Sequence, residues 1–251
     1  MEDFTFSDFR NFVREITDFS GLFSAMQESG ELSIEIKNDK TPVTEVDFQI
    51  EVSIRQAIED SFPDHSITGE EFSDKINFSQ CKWVIDPIDG TLSLTQGVPL
   101  FGTLVGFMVG SSPRYGSVRF PLLGNKLITG DGKKTFEDDK VIHATIDKKI
   151  EDSLILTSDE NRVKRSEYCE NWNVLNEKTA YHRTWGDCYG YYLVCSGKAQ
   201  VMFDVELKPC DILPLIPVIK GAGCEIIELK EPYRDIIVCS RDIYRDIIRI
   251  F

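Results

Sequence analysis

Trp83-Val84-Ile85-Asp86-Pro87-Ile88-Asp89-Gly90-Thr91 is the stretch from which the fold can be read. Trp83, Val84 and Ile85 form an apolar run whose side chains favour a buried strand. Pro87 has no N–H to give to a ladder, so the strand is expected to end there. Gly90 admits a tight bend. Asp86 and Asp89 then stand at the mouth of a strand, where open α/β sheets gather their ligands. Two carboxylates so close repel each other unless a cation neutralises them. Magnesium suits the position, because it prefers oxygen ligands and commonly takes one or two carboxylates together with a substrate phosphate. The backbone amides of Gly90 and Thr91, opening the next helix, would attract that phosphate. A solvated acidic turn is the plain alternative.

Composition narrows the choice. The 251 residues allow one large domain or two intimate halves, and 41% hydrophobic residues suffice for a core. A formal charge of −14 argues against general binding of nucleic acid or of an anionic membrane. A phosphate site must therefore be built locally, from metal and backbone amides. Residues 1–8 are acidic and mixed, unlike a secretory leader. No apolar run reaches the roughly 20 residues that span a bilayer. Seven cysteines, scattered and without a CxxC pair, point to reduced thiols in a cytoplasm rather than to disulfides or zinc. His65, His143 and His182 lack metal-ligand spacing and read as structural or exposed.

Working outward, Phe6, Phe9, Val13, Ile16, Phe19, Leu22, Phe23 and Met26 recur at helical spacing. They predict one amphipathic helix over 5–28, ended by Gly30. Residues 37–42 are polar and breaker-rich, hence a loop. A second helix is expected over 43–60, turning Val43, Val46, Ile50, Ile54 and Ile58 inward and leaving Asp47 and Glu51 one turn apart on another, solvated face. Pro63 stops it, and a strand over 65–68 delivers Gly69-Glu70-Glu71. A strand over 101–109, a turn at 113–116, a strand over 117–120 and two more flanking Gly130-Asp131-Gly132 make an antiparallel meander on two helices. The pattern changes at 147–152. It divides the chain into an α+β subdomain, 1–147, with most of the candidate metal ligands, and an α/β subdomain, 148–251. In the second, strands at 153–157, 181–184, 200–205, 225–229 and 236–239 alternate with helices at 161–176, 188–196, 211–220 and 241–250. Pro214 is tolerable in the first turn of the helix over 211–220, whereas Pro217 predicts a kink.

The acidic pieces fall in a specific order. Lys37, Thr41-Pro42-Val43-Thr44, Asp47 and Glu51 come first, then Gly69-Glu70-Glu71, then the opening stretch, then Lys208-Pro209-Cys210-Asp211 with Gly221-Ala222-Gly223. Over essentially its whole length the chain resembles the inositol monophosphatase-like family of magnesium-dependent phosphatases. That resemblance implies a layered αβαβα sandwich with the active site between its halves. It implies that Glu70, Asp86 and the carbonyl of Ile88 hold one magnesium, and that Asp86, Asp89 and Asp211 hold a second. By the same resemblance, Asp47 and Glu70 would lie near a third, weaker ion, Thr91 and Asp47 would orient an attacking water, and the Gly90 and Thr91 amides would cradle the phosphate. The reaction implied is direct in-line attack on a phosphate monoester, without a covalent enzyme intermediate. A haloacid dehalogenase-type motif would set its two acids two apart rather than three.

Trp185-Gly186-Asp187-Cys188-Tyr189 and Glu206-Leu207-Lys208-Pro209-Cys210-Asp211 look like the histidinol-phosphate phosphatase branch, a step of histidine biosynthesis. There Asp187 and Glu206 would face a leaving group that carries an amine and an imidazole, and Arg183 would anchor one of these acids. Asp187 could equally serve as an N-cap. Inositol phosphate, a nucleotide 3′-phosphate, or a binding protein without turnover are the other readings. Leu92 and Leu94 depart from the branch, which has lysine and phenylalanine in their places. The resemblance further implies a cytoplasmic homodimer acting on a small phosphorylated metabolite, with no nucleic-acid or membrane partner.

Overall fold

The computed structural model describes residues 4–29, 33–37 and 42–251. The expected stop at Gly30 and residues 38–41 of the expected loop lie outside them. The N-terminal pattern yields two helices, α1 (Phe6–Ile16) and α2 (Ser20–Ser29), rather than one. Tertiary contact explains the break. The buried Arg119 guanidinium donates to Arg14 O at 2.7 Å and to Thr17 Oγ1 at 3.3 Å, taking up the end of α1. Asp18 Oδ1 then accepts from Ser20 Oγ at 2.7 Å and Ser20 N at 3.3 Å, which starts a new helix.

A short antiparallel pair, β1 (Ile34–Ile36) and β2 (Pro42–Thr44), precedes α3 (Glu45–Ser61). Val43 is thus strand, not helix. Val46, Ile50, Ile54 and Ile58 are buried as their spacing requires, but Asp47 and Glu51 are buried too, against the solvated face expected of them.

Next come β3 (Ser66–Gly69), β4 (Cys81–Asp89), α4 (Thr91–Thr95), β5 (Gly102–Val109), β6 (Ser112–Phe120), β7 (Lys126–Gly130), β8 (Thr135–Glu137) and β9 (Lys140–Ile142). They form a seven-stranded sheet in sequence order. β3 and β4 are parallel and the remainder antiparallel. The chain turns at Gly110-Ser111 rather than at 113–116; Pro113 sits in β6 beside a register shift, where its missing N–H costs nothing. Pro87 does not end β4 either. The ladder slips between Asp86 and Asp89, and Thr103 Oγ1 donates to Pro87 O at 2.9 Å.

The second half contains β10 (Leu154–Leu156), α5 (Glu160–Arg165), α6 (Cys169–Lys178), β11 (Tyr181–Arg183), α7 (Asp187–Cys195), β12 (Val201–Asp204), α8 (Pro209–Ile212), α9 (Ile216–Gly221), β13 (Cys224–Glu228), β14 (Ile236–Ser240) and α10 (Tyr244–Ile250). Its five-stranded sheet has the order β11-β10-β12-β14-β13, parallel around β10 and antiparallel beyond β12. Two expected helices are each divided. Ser166 leaves helical backbone and its hydroxyl accepts from Tyr168 N at 3.1 Å, separating α5 from α6. Pro214 separates α8 from α9, while Pro217 falls in the first turn of α9, where no amide is needed and no kink arises.

Strand alternation builds the layers. Trp83, Ile85, Val105 and Phe107 face α1 and α3, whereas Val84, Leu104 and Val118 face α7 and α9. Leu156, Met202 and Val238 close the same middle layer from the other sheet, and Ile155, Phe203 and Ile237 face α6 and α10. The result is the expected αβαβα sandwich. The α8–α9 segment lies directly on β6: a Cβ on Gly116 would come 1.8 Å from Pro214 O, so only glycine permits this approach. Among the described residues no helix is long and apolar enough to cross a membrane.

Candidate active site

Strand alternation turns Asp86, two residues after Val84, toward the middle layer, and the slip in β4 brings Asp89 to the same side, where Cys188 N meets it. Gly90 follows at φ 95, a backbone conformation that other residues resist, and α4 starts at Thr91. The Thr91 hydroxyl reaches Ile88 O at 2.9 Å and Asp47 Oδ1 at 3.3 Å. Asp47 is fixed in turn by Thr44, whose N–H and hydroxyl donate to Oδ2 at 2.8 and 2.5 Å. β3 delivers Glu70, whose Oε1 accepts from Lys37 Nζ at 3.0 Å and Lys208 Nζ at 3.1 Å. From the second half, α8 presents Asp211, with Oδ2 accepting from Lys208 N at 2.8 Å. The N-terminus of α7 presents Asp187, and Cys188 N donates to Asp89 Oδ2 at 2.5 Å, tying the halves together across the cleft. Carboxylate oxygens of Glu70 and Asp86 and the Cys210 sulfur all lie within 4.8 Å of one another.

Electrostatics record the crowding. Burial first, then the charges of Glu70, Asp89 and Asp211, hold the Asp86 carboxyl well above the ordinary carboxylate range. Burial, then Asp187 and Asp211, do the same to Asp89. Burial raises Asp211 and Asp47 as well. Burial also disfavours charge on Glu70, but Lys37 and Lys208 outweigh it and lower its pKa. Asp86 Oδ1 is buried and has no hydrogen-bond partner among the described residues. A buried bare oxygen is costly unless something binds it. Hard oxygens converging from Glu70, Asp86, Asp89 and Asp211 suit a hard cation such as magnesium.

Beside these acids opens a pocket of about 50 Å³, lined chiefly by Asp89, Asp159, Asp187, Asp204 and Asp211 with Arg162. Asp187 is not the N-cap; Gly186 holds that place, and Asp187 adopts φ 51. Its N–H donates to Ser158 Oγ at 2.7 Å, and Ser158 Oγ donates to Asp204 Oδ2 at 2.8 Å. Burial pushes Asp187 up to about 6 and Asp204 up to about 7. Glu206 does not line the pocket; its side chain is 60% exposed and lies 3.8 Å from the Nε of Arg162, which does. Arg183 does not anchor these acids as expected: it donates to His182 O at 2.6 Å and lies 6.0 Å from the centre of the Trp185 ring, while Arg162 supplies the nearby cation. Arg183 is exposed at the end of β11, the edge strand of its sheet. Ser158, Arg162, Tyr191 and Asp204 escaped the sequence reading. Ser158 and Asp204 follow or close β10 and β12, parallel neighbours whose carboxyl ends are a ligand position, and that signal could have found them.

Of the histidines, His65 accepts from Trp83 Nε1 at 3.0 Å and His182 packs edge-on against Trp172, both structural arrangements. Among the described residues none of the seven cysteines is in a disulfide. Leu92 is exposed on α4 and Leu94 is buried in the core beneath it.

Carboxylates from two sheets meeting beside a bent strand end, within an αβαβα sandwich, define the class of this protein, a phosphomonoester hydrolase. Residues 13–245 match the model of the inositol monophosphatase family, and the chain belongs to that family. It is 34% identical over 192 residues to the histidinol-phosphatase of Chlorobaculum parvum, covering 76% of this chain and 74% of that one. It is 28% identical over 223 residues to the fructose-1,6-bisphosphatase/inositol-1-monophosphatase of Aquifex aeolicus, covering 87% of this chain and 84% of that one. The extragenic suppressor protein suhB of Bartonella henselae has the same fold, with a TM-score of 0.88 at 19% identity over 97% of this chain and 98% of that one. So does an IMPase/NADP phosphatase solved with Mg2+ and phosphate, with a TM-score of 0.78 at 20% identity over 92% and 90% of the two chains. The family resemblance and the layered fold read from the motifs are borne out.

Proposed function

We propose that the chain is a magnesium-dependent phosphatase of a small metabolite whose alcohol is cationic, and that histidinol phosphate is the substrate: histidinol phosphate and water give histidinol and phosphate. The observation that carries this is the pocket next to the metal-type carboxylates. Five aspartates line it with a single arginine, Arg162. Asp89 and Asp211 would face magnesium, while Asp159 and Asp204 already accept from Asn161, Arg162, Ser158 and Tyr191; an amine or an imidazole would give Asp187 a charged partner that a neutral polyol lacks. The 34% identity to a histidinol-phosphatase supports the same reading.

Glu70, Asp86 and the Ile88 carbonyl would hold one magnesium, and Asp86, Asp89 and Asp211 a second. Asp47 and Glu70 stand where a third could bind. Magnesium would neutralise the phosphoryl oxygens and make water a better nucleophile. The protein's own groups complete the reaction. Thr91 Oγ1 accepts a hydrogen bond from the attacking water and passes a proton toward Asp47, 3.3 Å away. Burial raises the affinity of Asp47 for that proton. The Gly90 and Thr91 amides receive the phosphate. Asp187 and Glu206 hold the leaving alcohol, and Ser158 and Asp204 fix Asp187.

The alternative is an inositol phosphate or a nucleotide 3′-phosphate, favoured by Arg162, which could bind a second anionic group in the same pocket. Initial rates on histidinol phosphate, inositol 1-phosphate and adenosine 3′,5′-bisphosphate, with and without magnesium, separate the readings. Preference for either of the last two would overturn the choice of histidinol. No phosphate release from any of the three with magnesium present would favour a binding protein.

A further inference from the structure

We propose that buried Glu51, with its half-buried partner Arg55, positions the Glu70–Glu71 turn and thereby sets the affinity of the site for magnesium. The inference rests on Glu70 being a metal ligand. Glu51 is 0% exposed although it lies off the apolar stripe of α3. A carboxylate there is expensive unless its oxygens are satisfied. They are: Arg55 Nε donates to Oε1 at 2.7 Å, Phe72 N to Oε1 at 3.3 Å and Glu71 N to Oε2 at 2.8 Å. Arg55 also donates from Nη2 to Phe72 O at 3.1 Å. Two side chains one helical turn apart thus hold the amides of both residues after Glu70 and the next carbonyl.

The seat exists because residue 69 has no side chain. A Cβ on Gly69 would stand 1.9 Å from Glu51 Oε1 and 2.8 Å from Arg55 Nη2. With the backbone fixed on both sides of Glu70, the direction of its Cα–Cβ bond is fixed, and its carboxylate lies within 4.8 Å of that of Asp86 on the neighbouring strand β4. The same helix carries Asp47 one turn before Glu51. One rigid element therefore places the partner of Thr91 and the turn that bears Glu70. Neither Glu51 nor Arg55 touches the reacting atoms. Outer groups that orient ligands typically govern metal affinity by 10- to 100-fold.

The test is calorimetric titration of magnesium into the full-length metal-free protein, with thermal unfolding in EDTA recorded alongside. Glu51→Gln places an NH2 where it must face either a backbone N–H or Arg55 Nε, so a bond is lost and the charge pair broken. The magnesium Kd should rise roughly 10- to 100-fold, with kcat largely restored at saturating magnesium. Arg55→Gln leaves the two amide bonds to Glu51 and reaches the surface, so it decides the matter if the first variant does not fold; its Kd should rise about three- to tenfold. A Kd within twofold of the parent in the folded variants, with only the unfolding temperature lowered, would make the pair a structural brace and overturn the inference. Glu70→Gln is the control. If it too leaves magnesium binding unchanged, the ligand assignment itself has failed; if it alone weakens binding, only the positioning role has.

Discussion

Asp86→Asn should destroy catalysis and stabilise the metal-free fold, and the two effects share one cause. Asp86 is 1% exposed, has an oxygen without a partner among the described residues, and has a Glu70 oxygen within 4.8 Å. Two unit charges at that separation repel by about 3 kcal/mol at an effective dielectric constant of ~20. Lys37 and Lys208 offset part of this through Glu70, and protonation relieves more, so ~1–3 kcal/mol remains. Asparagine keeps the shape and removes the charge. At roughly 2–4 °C per kcal/mol for a chain of this size, the variant in EDTA at pH 7.5 should unfold about 2–12 °C above the parent. Magnesium should then raise the unfolding temperature of the parent much more than that of the variant, and turnover should fall by at least ~100-fold. Scanning calorimetry with and without magnesium, plus phosphate release, reads all three. A variant no more stable than the parent in EDTA, or one retaining near-normal turnover, would refute the reasoning.

Asp187→Asn should lower kcat/KM for histidinol phosphate more than tenfold while leaving hydrolysis of a neutral polyol phosphate nearly unchanged; equal losses on both would show that Asp187 selects nothing. Metal-free stability should rise on acidification. Burial pushes Asp187 up to about 6 and Asp204 up to about 7, from an ordinary value of 3.8. Their contribution is therefore complete below pH 3.8 and is lost as the pH climbs through 6 and 7. Denaturant midpoints in EDTA should increase from pH 8 to pH 5, and Asp204→Asn should flatten that profile; a midpoint that falls steadily over the range contradicts it. Gly116→Ala should cost about 2–4 kcal/mol, because the new methyl meets backbone at Pro214 O and nothing flexible can yield; urea unfolding measures it, and a loss below 1 kcal/mol would mean that α8–α9 can slide.

Residues 83–91, Gly69-Glu70-Glu71 and Lys208–Asp211 carried the family resemblance, and through it the expectation of the sandwich and of the candidate acidic ligands, because each motif needs only local chemistry. A strand, a glycine bend and fixed acid spacings read the same in isolation as in the fold. Tertiary structure decided what local pattern leaves free. Arg119, 102 residues from Thr17, cuts one apolar stripe into two helices. The register of β4 against β5 carries Pro87 past the point where its own geometry would end a strand. Burial of Glu51 and Asp47 is likewise invisible to helical periodicity, which places both on a polar face; a remote turn and the Thr91 hydroxyl cover that face. Arg162, not Arg183, meets the pocket because β11 ends up at the edge of its sheet, a placement that packing sets and residue type does not. What is written along the chain is which groups can bind a cation and a phosphate; which of them face one another depends on closing the two sheets over a shared layer of helices.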